Sequence, residues 1–249
     1  IYGDNEYKHI TESQTYKNLE WWNEFAIACE EINPDVYLVG EAWQGSEALA
    51  EYAQPFDTKF DFAFQENLTD AVQRESANVN NSQSLAEFLQ NVQEQHYAAD
   101  SKYLDGVFGS NHDQNRIMSV AKNEQQAKMI ASIYLTLDGN PYIYYGEEIG
   151  MKGVKPDERI REPFKWTADG SGMDTDWESA SSNRSTVPLS EQINNPDSMY
   201  SFYKELIAVR QNSTALTYGK FESVDTGRKT VMGYMRTSED ESVLVLHNF

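Results

Sequence analysis

Two apolar runs in this chain end on groups that can do acid–base chemistry. In VYLVGEAWQ (36–44) a strand-like stretch stops at Glu41, with Trp43 two residues on; in LDGVFGSNHDQNR (104–116) a second stretch leads to Asn111, His112 and Asp113. Parallel β/α folds place their reactive groups at the carboxyl ends of strands, where the connecting loops open. Partial desolvation after a buried strand favours the protonated form of a carboxyl, the form a general acid needs. Glu41 is therefore the candidate acid. Asp113 lies in a polar run suited to a carboxylate that binds hydroxyls or offsets positive charge. Paired carboxylates beside an aromatic platform meet the needs of glycoside hydrolysis: one acid protonates the leaving oxygen while the other offsets an oxocarbenium-like centre. Trp43 supplies a face on which a sugar can stack. Any single strand-end acid also has a plainer role available, as a helix cap or ion-pair partner.

Other chemistries find less support. ADGSGMDTDWESA (168–180) has the acids of a calcium loop, yet with Asp169 as first ligand the fifth and twelfth places fall on Met173 and Ala180, where oxygen ligands are required. No metal is expected there. His9, His96, His112 and His247 lack zinc spacing, and His96 is expected at the surface. Gly-rich phosphate loops are missing, and no organic cofactor is implied. The single cysteine, Cys29, lies in the helical stretch WWNEFAIACEEI and is expected as a buried structural thiol. Asn67, Asn80, Asn183 and Asn212 open Asn-x-Ser/Thr triplets, as an Asn-rich chain will by chance.

Lys plus Arg number 20 and Asp plus Glu 40, a formal charge of −20. That disfavours nucleic acid or an anionic membrane as partner and fits a neutral ligand. No window reaches the ~18 apolar residues of a membrane span.

The elements that must position these groups alternate. Residues 13–31 read as an amphipathic helix, Asn33-Pro34-Asp35 as a turn, and VYLVG (36–40) as a strand buried on both faces. KFDFAF (59–64), LDGVFG (104–109) and PYIYYG (141–146) are strand-like; SLAEFLQNVQ (84–93), NEQQAKMIASIYLTL (123–137) and SMYSFYKELIAVRQ (198–211) are helical. Such alternation implies β/α units around a parallel sheet. Residues 146–197 form a long loop region, and from Lys220 the pattern becomes that of antiparallel strands.

Together these residues resemble glycoside hydrolase family 13, the α-amylase family. VYLVGEAW is similar to the family's fifth barrel strand, FGSNHD to the seventh, and GNPYIYYGEEIGM to the eighth with its following loop; REPFKW and the helix from Ser198 follow the family's order. The similarity runs from about Lys8 to the end and covers the later part of a catalytic module. It implies an α/β fold of the (β/α)8 TIM-barrel type, represented by strands about five to eight. On this reading 1–216 is a partial catalytic barrel and 217–249 the beginning of a C-terminal all-β domain. The resemblance further implies Glu41 as general acid/base, Asp113 as the acid that binds and distorts the sugar, and His112, with Asn111, as a hydroxyl ligand. Trp43 is the substrate-stacking residue, and Lys8 and His9 match the pair that follows the family's nucleophile.

At the nucleophile the sequence departs from the family. The Asp expected four residues before His9 is Asn5, the Arg expected two before it is Gly3, and Asp4 is one place off, a shift that turns a strand side chain to the other face. Retaining hydrolysis needs a carboxylate nucleophile. The expectation is an α-amylase-like retaining hydrolase acting on α-1,4-glucans such as starch and maltooligosaccharides, present as a fragment of the full enzyme. The alternatives are an inactive α-glucan-binding homologue and a structural subunit. The expected partner is an α-glucan, with neither nucleic acid nor membrane; open sheet edges favour self-association or complementation by an N-terminal half.

Overall fold

The computed structural model describes residues 12–43, 45, 50–171 and 175–249. The chain divides into two compact units, one made of residues up to 63 with 91–106, the other of 64–90 with 107–249.

In the first unit, helix α1 (Glu12–Ile32) ends in the expected turn, where the Asn33 amide donates to Cys29 O at 2.9 Å and the Asp35 amide to the Asn33 side chain at 3.2 Å. Strands β1 (Val39–Gly40), β2 (Thr58–Phe60) and the start of β3 (Leu104–Phe108) run parallel, Val39 opposite Thr58 and Thr58 opposite Leu104. The strand expected over 36–40 is shorter and less buried than its apolar sequence suggested. Among the described residues β1 stands at the end of the sheet order with β2 as its one neighbour, and Tyr37 and Val39 are exposed. The expected strand at 59–64 also stops early. From Phe62 the chain is helix α2 (Phe62–Arg74), because Phe64, Leu68, Ala71 and Val72 recur at helical spacing and all are buried. Cys29 is free and half-buried rather than buried.

His96 is not a surface residue. It lies on α3 (Leu85–Ala99), 1% exposed, with Nδ1 2.7 Å from the Asp105 carboxylate on β3. Burial acts to lower its pKa, but the hydrogen bond and charge of Asp105 outweigh this and raise it. Lys59 lies over the Tyr103 ring at 4.5 Å, and burial brings its ammonium down to about 8 against the pull of Asp105. A polar residue inside a helix whose neighbours are Gln, Glu and Tyr carries no periodic sign of burial, so the acid on the facing strand was needed to see it.

In the second unit α3 starts from a reciprocal cap: Ser84 Oγ accepts from the Glu87 amide at 3.1 Å while the Glu87 carboxylate accepts from the Ser84 amide at 2.8 Å. Helices α4 (Ile117–Val120) and α5 (Glu124–Thr136) follow β3, and β4 (Asn140–Tyr142) comes next to β3 in the sheet order. The strand expected over 141–146 ends at Tyr142. Thereafter Glu147 N bonds Tyr144 O and Gly146 takes φ +84°, a left-handed conformation suited to glycine. The long loop region holds a 3₁₀ turn (Glu147–Ile149) and two short helices, α6 (Asp157–Ile160) and α7 (Leu189–Gln192). Helix α8 (Met199–Gln211), capped by Ser198, packs with α5 around Phe64, Leu68, Leu89, Ile130, Tyr134 and Tyr203.

After α9 (Thr214–Tyr218), β5 (Lys220–Val224), β6 (Val231–Thr237) and β7 (Ser242–Asn248) pair antiparallel, as expected. This sheet is fastened to the end of α5: Arg236 donates to Thr136 O at 3.0 Å, and Thr136 and Tyr234 hydroxyls lie 2.6 Å apart. A parallel sheet followed by a small antiparallel one fits a partial barrel followed by a small β domain.

Candidate active site

Glu41 follows β1 directly, and two residues on the Trp43 indole turns back so that Nε1 donates to Glu41 Oε1 at 3.0 Å. The same indole stacks on Phe62 with ring centroids 3.8 Å apart and remains 54% exposed, leaving a face open for an apolar or sugar surface. The approach of β1 to β2 depends on Gly40: a Cβ there would meet the Lys59 side chain at 3.0 Å and the Phe56 ring at 3.3 Å. Contrary to the desolvation expected of an acid after a buried strand, Glu41 is exposed. The physical reason is the same as for β1 itself, whose one neighbour among the described residues is β2. What orients the carboxylate is therefore the indole donor.

The second motif is built after β3. Asn111 Oδ1 accepts from the Asp113 amide at 2.9 Å, an Asx turn that fixes the direction of the run. Asp113 is paired through Oδ1 with Arg161 Nη2 at 2.7 Å, and its Oδ2 is 3.3 Å from His112 Nε2. Arg161 also donates from Nε to His112 O at 2.8 Å and from Nη2 to Asp157 at 2.8 Å. The Asp157 carboxyl is held low, first by its hydrogen bond from Lys155 and then by the Arg161 charge. His112 is exposed and Asp113 about one-third exposed, so both reach solvent. Behind them Gln65 donates to Gly109 O at 2.7 Å and Gln114 donates to Gln65 Oε1 at 2.7 Å. The structure thus brings Glu41 and Trp43 together in one unit and Asn111, His112 and Asp113 together in the other. Lys8, His9 and the Gly3–Asp4–Asn5 stretch lie outside the described residues.

Arg161 was missed by sequence reasoning although REPFKW was noted for its order. A cation before a Glu-Pro pair, 48 positions from the acid it serves, has no local pattern to betray it. Glu147 was missed as well. It is buried, its Oε1 accepts from Tyr134 at 2.5 Å and Tyr203 at 2.6 Å, and burial pushes its carboxyl up to about 7 despite those donors. Burial likewise raises the neighbouring Glu148. With solvent excluded, Glu147 is a structural acid.

Among the described residues no group of three His, Cys, Asp or Glu is placed to hold a metal. Asp169 accepts from the Ser171 amide at 3.1 Å; residues 172–174 of that acidic segment lie outside the description. Also among the described residues, no helix is long and apolar enough to cross a membrane.

Comparison with known proteins gives a consistent picture. The family described as alpha amylase, catalytic domain, matches residues 3–219. Alpha-amylase 3 of Dictyoglomus thermophilum is 38% identical over 245 residues, covering 97% of this chain and 48% of that protein. Alpha-amylase SusG of Bacteroides thetaiotaomicron is 29% identical over 86% of this chain and 32% of its own length. The crystal structure of an alpha-amylase from H. orenii superimposes with a TM-score of 0.87 at 36% identity, over 96% of this chain and 48% of that one. The chain spans about half the length, or less, of these relatives.

Proposed function

This chain belongs to the α-amylase catalytic-domain family, and from that premise we propose that it supplies the acid/base half of a retaining hydrolase of α-1,4-glucans. The observation that carries the reading is Glu41, set directly after a parallel strand and oriented by the Trp43 indole at 3.0 Å. Glu41 gives its proton to the glycosidic oxygen as the C1–O bond breaks and a carboxylate on the opposite face bonds C1. As the carboxylate Glu41 then takes a proton from the water that displaces that group from C1. Trp43 stacks the sugar on the leaving side. Asp113, aimed by Arg161, binds ring hydroxyls and favours the distorted sugar, with His112 and Asn111 beside it; Lys8 and His9 hold the leaving sugar. Retention requires a carboxylate nucleophile on the opposite face. Asn5 holds the matching position, with Asp4 next to it.

That amide favours one second reading, an α-glucan-binding homologue without turnover. The test is incubation of the chain with maltoheptaose, beside Glu41→Gln, following products by chromatography, their anomeric form by early-time NMR, and binding by calorimetry. Gln keeps an oxygen for the indole and has no acid proton to give. Products that vanish with Glu41→Gln and first appear as the α-anomer support the proposal and require Asp4 or another carboxylate of this chain as nucleophile, binding without products supports the second reading, and products surviving the substitution remove Glu41 from its role. The exposed Val39 on β1, which stands at the end of the sheet order among the described residues, and the exposed Tyr37 before it support self-association, which sedimentation of the same sample measures.

A further inference from the structure

Arg116 lies three residues beyond Asp113. It is 1% exposed, and its guanidinium packs over two tyrosine rings, 4.5 Å from the centroid of Tyr144 and 4.7 Å from that of Tyr145. Nε donates to Ile160 O at 2.9 Å and Nη1 to Tyr145 O at 2.6 Å, while the Arg116 amide donates to Gly153 O at 3.0 Å. One residue therefore ties three points of the 144–161 segment to the strand-end run. The tie is close at each point. A Cβ on Gly146 would meet Arg116 Nη1 at 3.1 Å, and one on Gly153 would meet Arg159 O at 2.4 Å and Ile160 Cα at 2.9 Å. Burial lowers the Arg116 pKa, opposed by Tyr144 and Tyr145 and then by Glu147 and Glu148.

A cation buried this fully needs a compensating role. The residue after Ile160 is Arg161, whose two bonds to His112 O and Asp113 Oδ1 are the contacts that aim the acid. The Tyr144 hydroxyl reinforces the same carbonyl, donating to Ile160 O at 3.1 Å. We propose that Arg116 is a positioning residue for the glucan site: by gripping the carbonyls of Tyr145 and Ile160 it sets Arg161 against Asp113. The proposal rests on the reading of Asp113 as a sugar-binding carboxylate, and it assigns Arg116 no contact with substrate.

The test compares Arg116→Met, Arg116→Lys, Arg161→Met and the Arg116→Met/Arg161→Met double variant, each checked for cooperative thermal unfolding. Maltoheptaose affinity is measured by calorimetry. Loss of the Arg161 contacts is expected to weaken binding about tenfold. Arg116→Met should weaken it by a similar factor, and the double variant no further than Arg161→Met, since both act through one contact. Losses that multiply in the double variant overturn the proposal. A second readout needs no glucan: the side-chain Nε–H of Arg161, bonded to His112 O, is followed by nitrogen NMR and assigned by its disappearance in Arg161→Met. It should be lost to exchange in Arg116→Met and weakened in Arg116→Lys, which keeps the charge and cannot span both carbonyls. An unchanged Arg161 signal overturns the proposal, and if Arg116→Met does not fold, Arg116→Lys decides. Absence of glucan binding by the unaltered chain would refute the site reading alone, because the Arg161 signal still reports on positioning.

Discussion

Replacing Glu147 by Gln removes one titratable proton from the buried site while keeping an oxygen for Tyr134 and Tyr203. In the folded chain burial pushes this carboxyl from 4.5 up to about 7. A raised carboxyl means that the folded state holds a proton that the unfolded state releases, so its contribution is full below about pH 4.5 and is lost as the pH rises through about 7. Over that interval, at about 1.36 kcal/mol per pH unit, the loss is about 3 kcal/mol. Urea unfolding of both proteins between about pH 4 and about pH 9 measures it. The remaining titration of this acidic chain is common to the two and cancels in their difference. The Gln variant should gain on the unaltered chain by about 3 kcal/mol from the acid end of the range to the alkaline end. A stability gap that stays constant across the range would show that Glu147 does not hold its proton in the fold, and would refute the burial argument.

Two further outcomes follow from buried charges. His96→Ala strips the Asp105 carboxylate of its ring partner at 2.7 Å and should cost about 3–5 kcal/mol, as breaking a buried pair does, with His96→Gln recovering part of it in chemical denaturation. Arg210 donates to the carbonyls of Leu135 and Leu137 and, through Nη2, of Gly139, at 2.7–3.0 Å. Arg210→Met should cost about 3 kcal/mol or more by leaving those carbonyls without their donor, and should raise amide exchange at the last turn of α5.

The four helices read from the sequence were legible because their signals are local. Apolar spacing repeats within a few residues, as does the alternation of the β5–β7 sheet, and the structure adds caps at Ser84–Glu87 and Ser198 that are equally local. The strands of the parallel sheet were read too long for a complementary reason. Alternation in KFDFAF satisfies a strand for its first residues and a helix from Phe62, and only Leu68, Ala71 and Val72 farther on decide between them. Burial of VYLVG was inferred from composition, whereas burial depends on which strands stand beside it, and β1 has one named neighbour among the described residues.

The candidate site divides along the same line. Glu41 and Trp43, or Asn111 through Asp113, are close in sequence and announce themselves as motifs. The groups that hold them are distant in sequence: Phe62 under the indole, Arg161 on Asp113, Arg116 behind Arg161. A motif specifies which atoms meet a substrate, and the angle at which they meet it is set by residues chosen only for reach and charge. An arginine whose guanidinium donates to two backbone carbonyls looks, in sequence, like any surface arginine. The carbonyls it binds carry no side-chain identity at all, so no pairing of residue types could have exposed Arg116. Its role is visible only where the backbone of one loop is seen to end on the guanidinium of another.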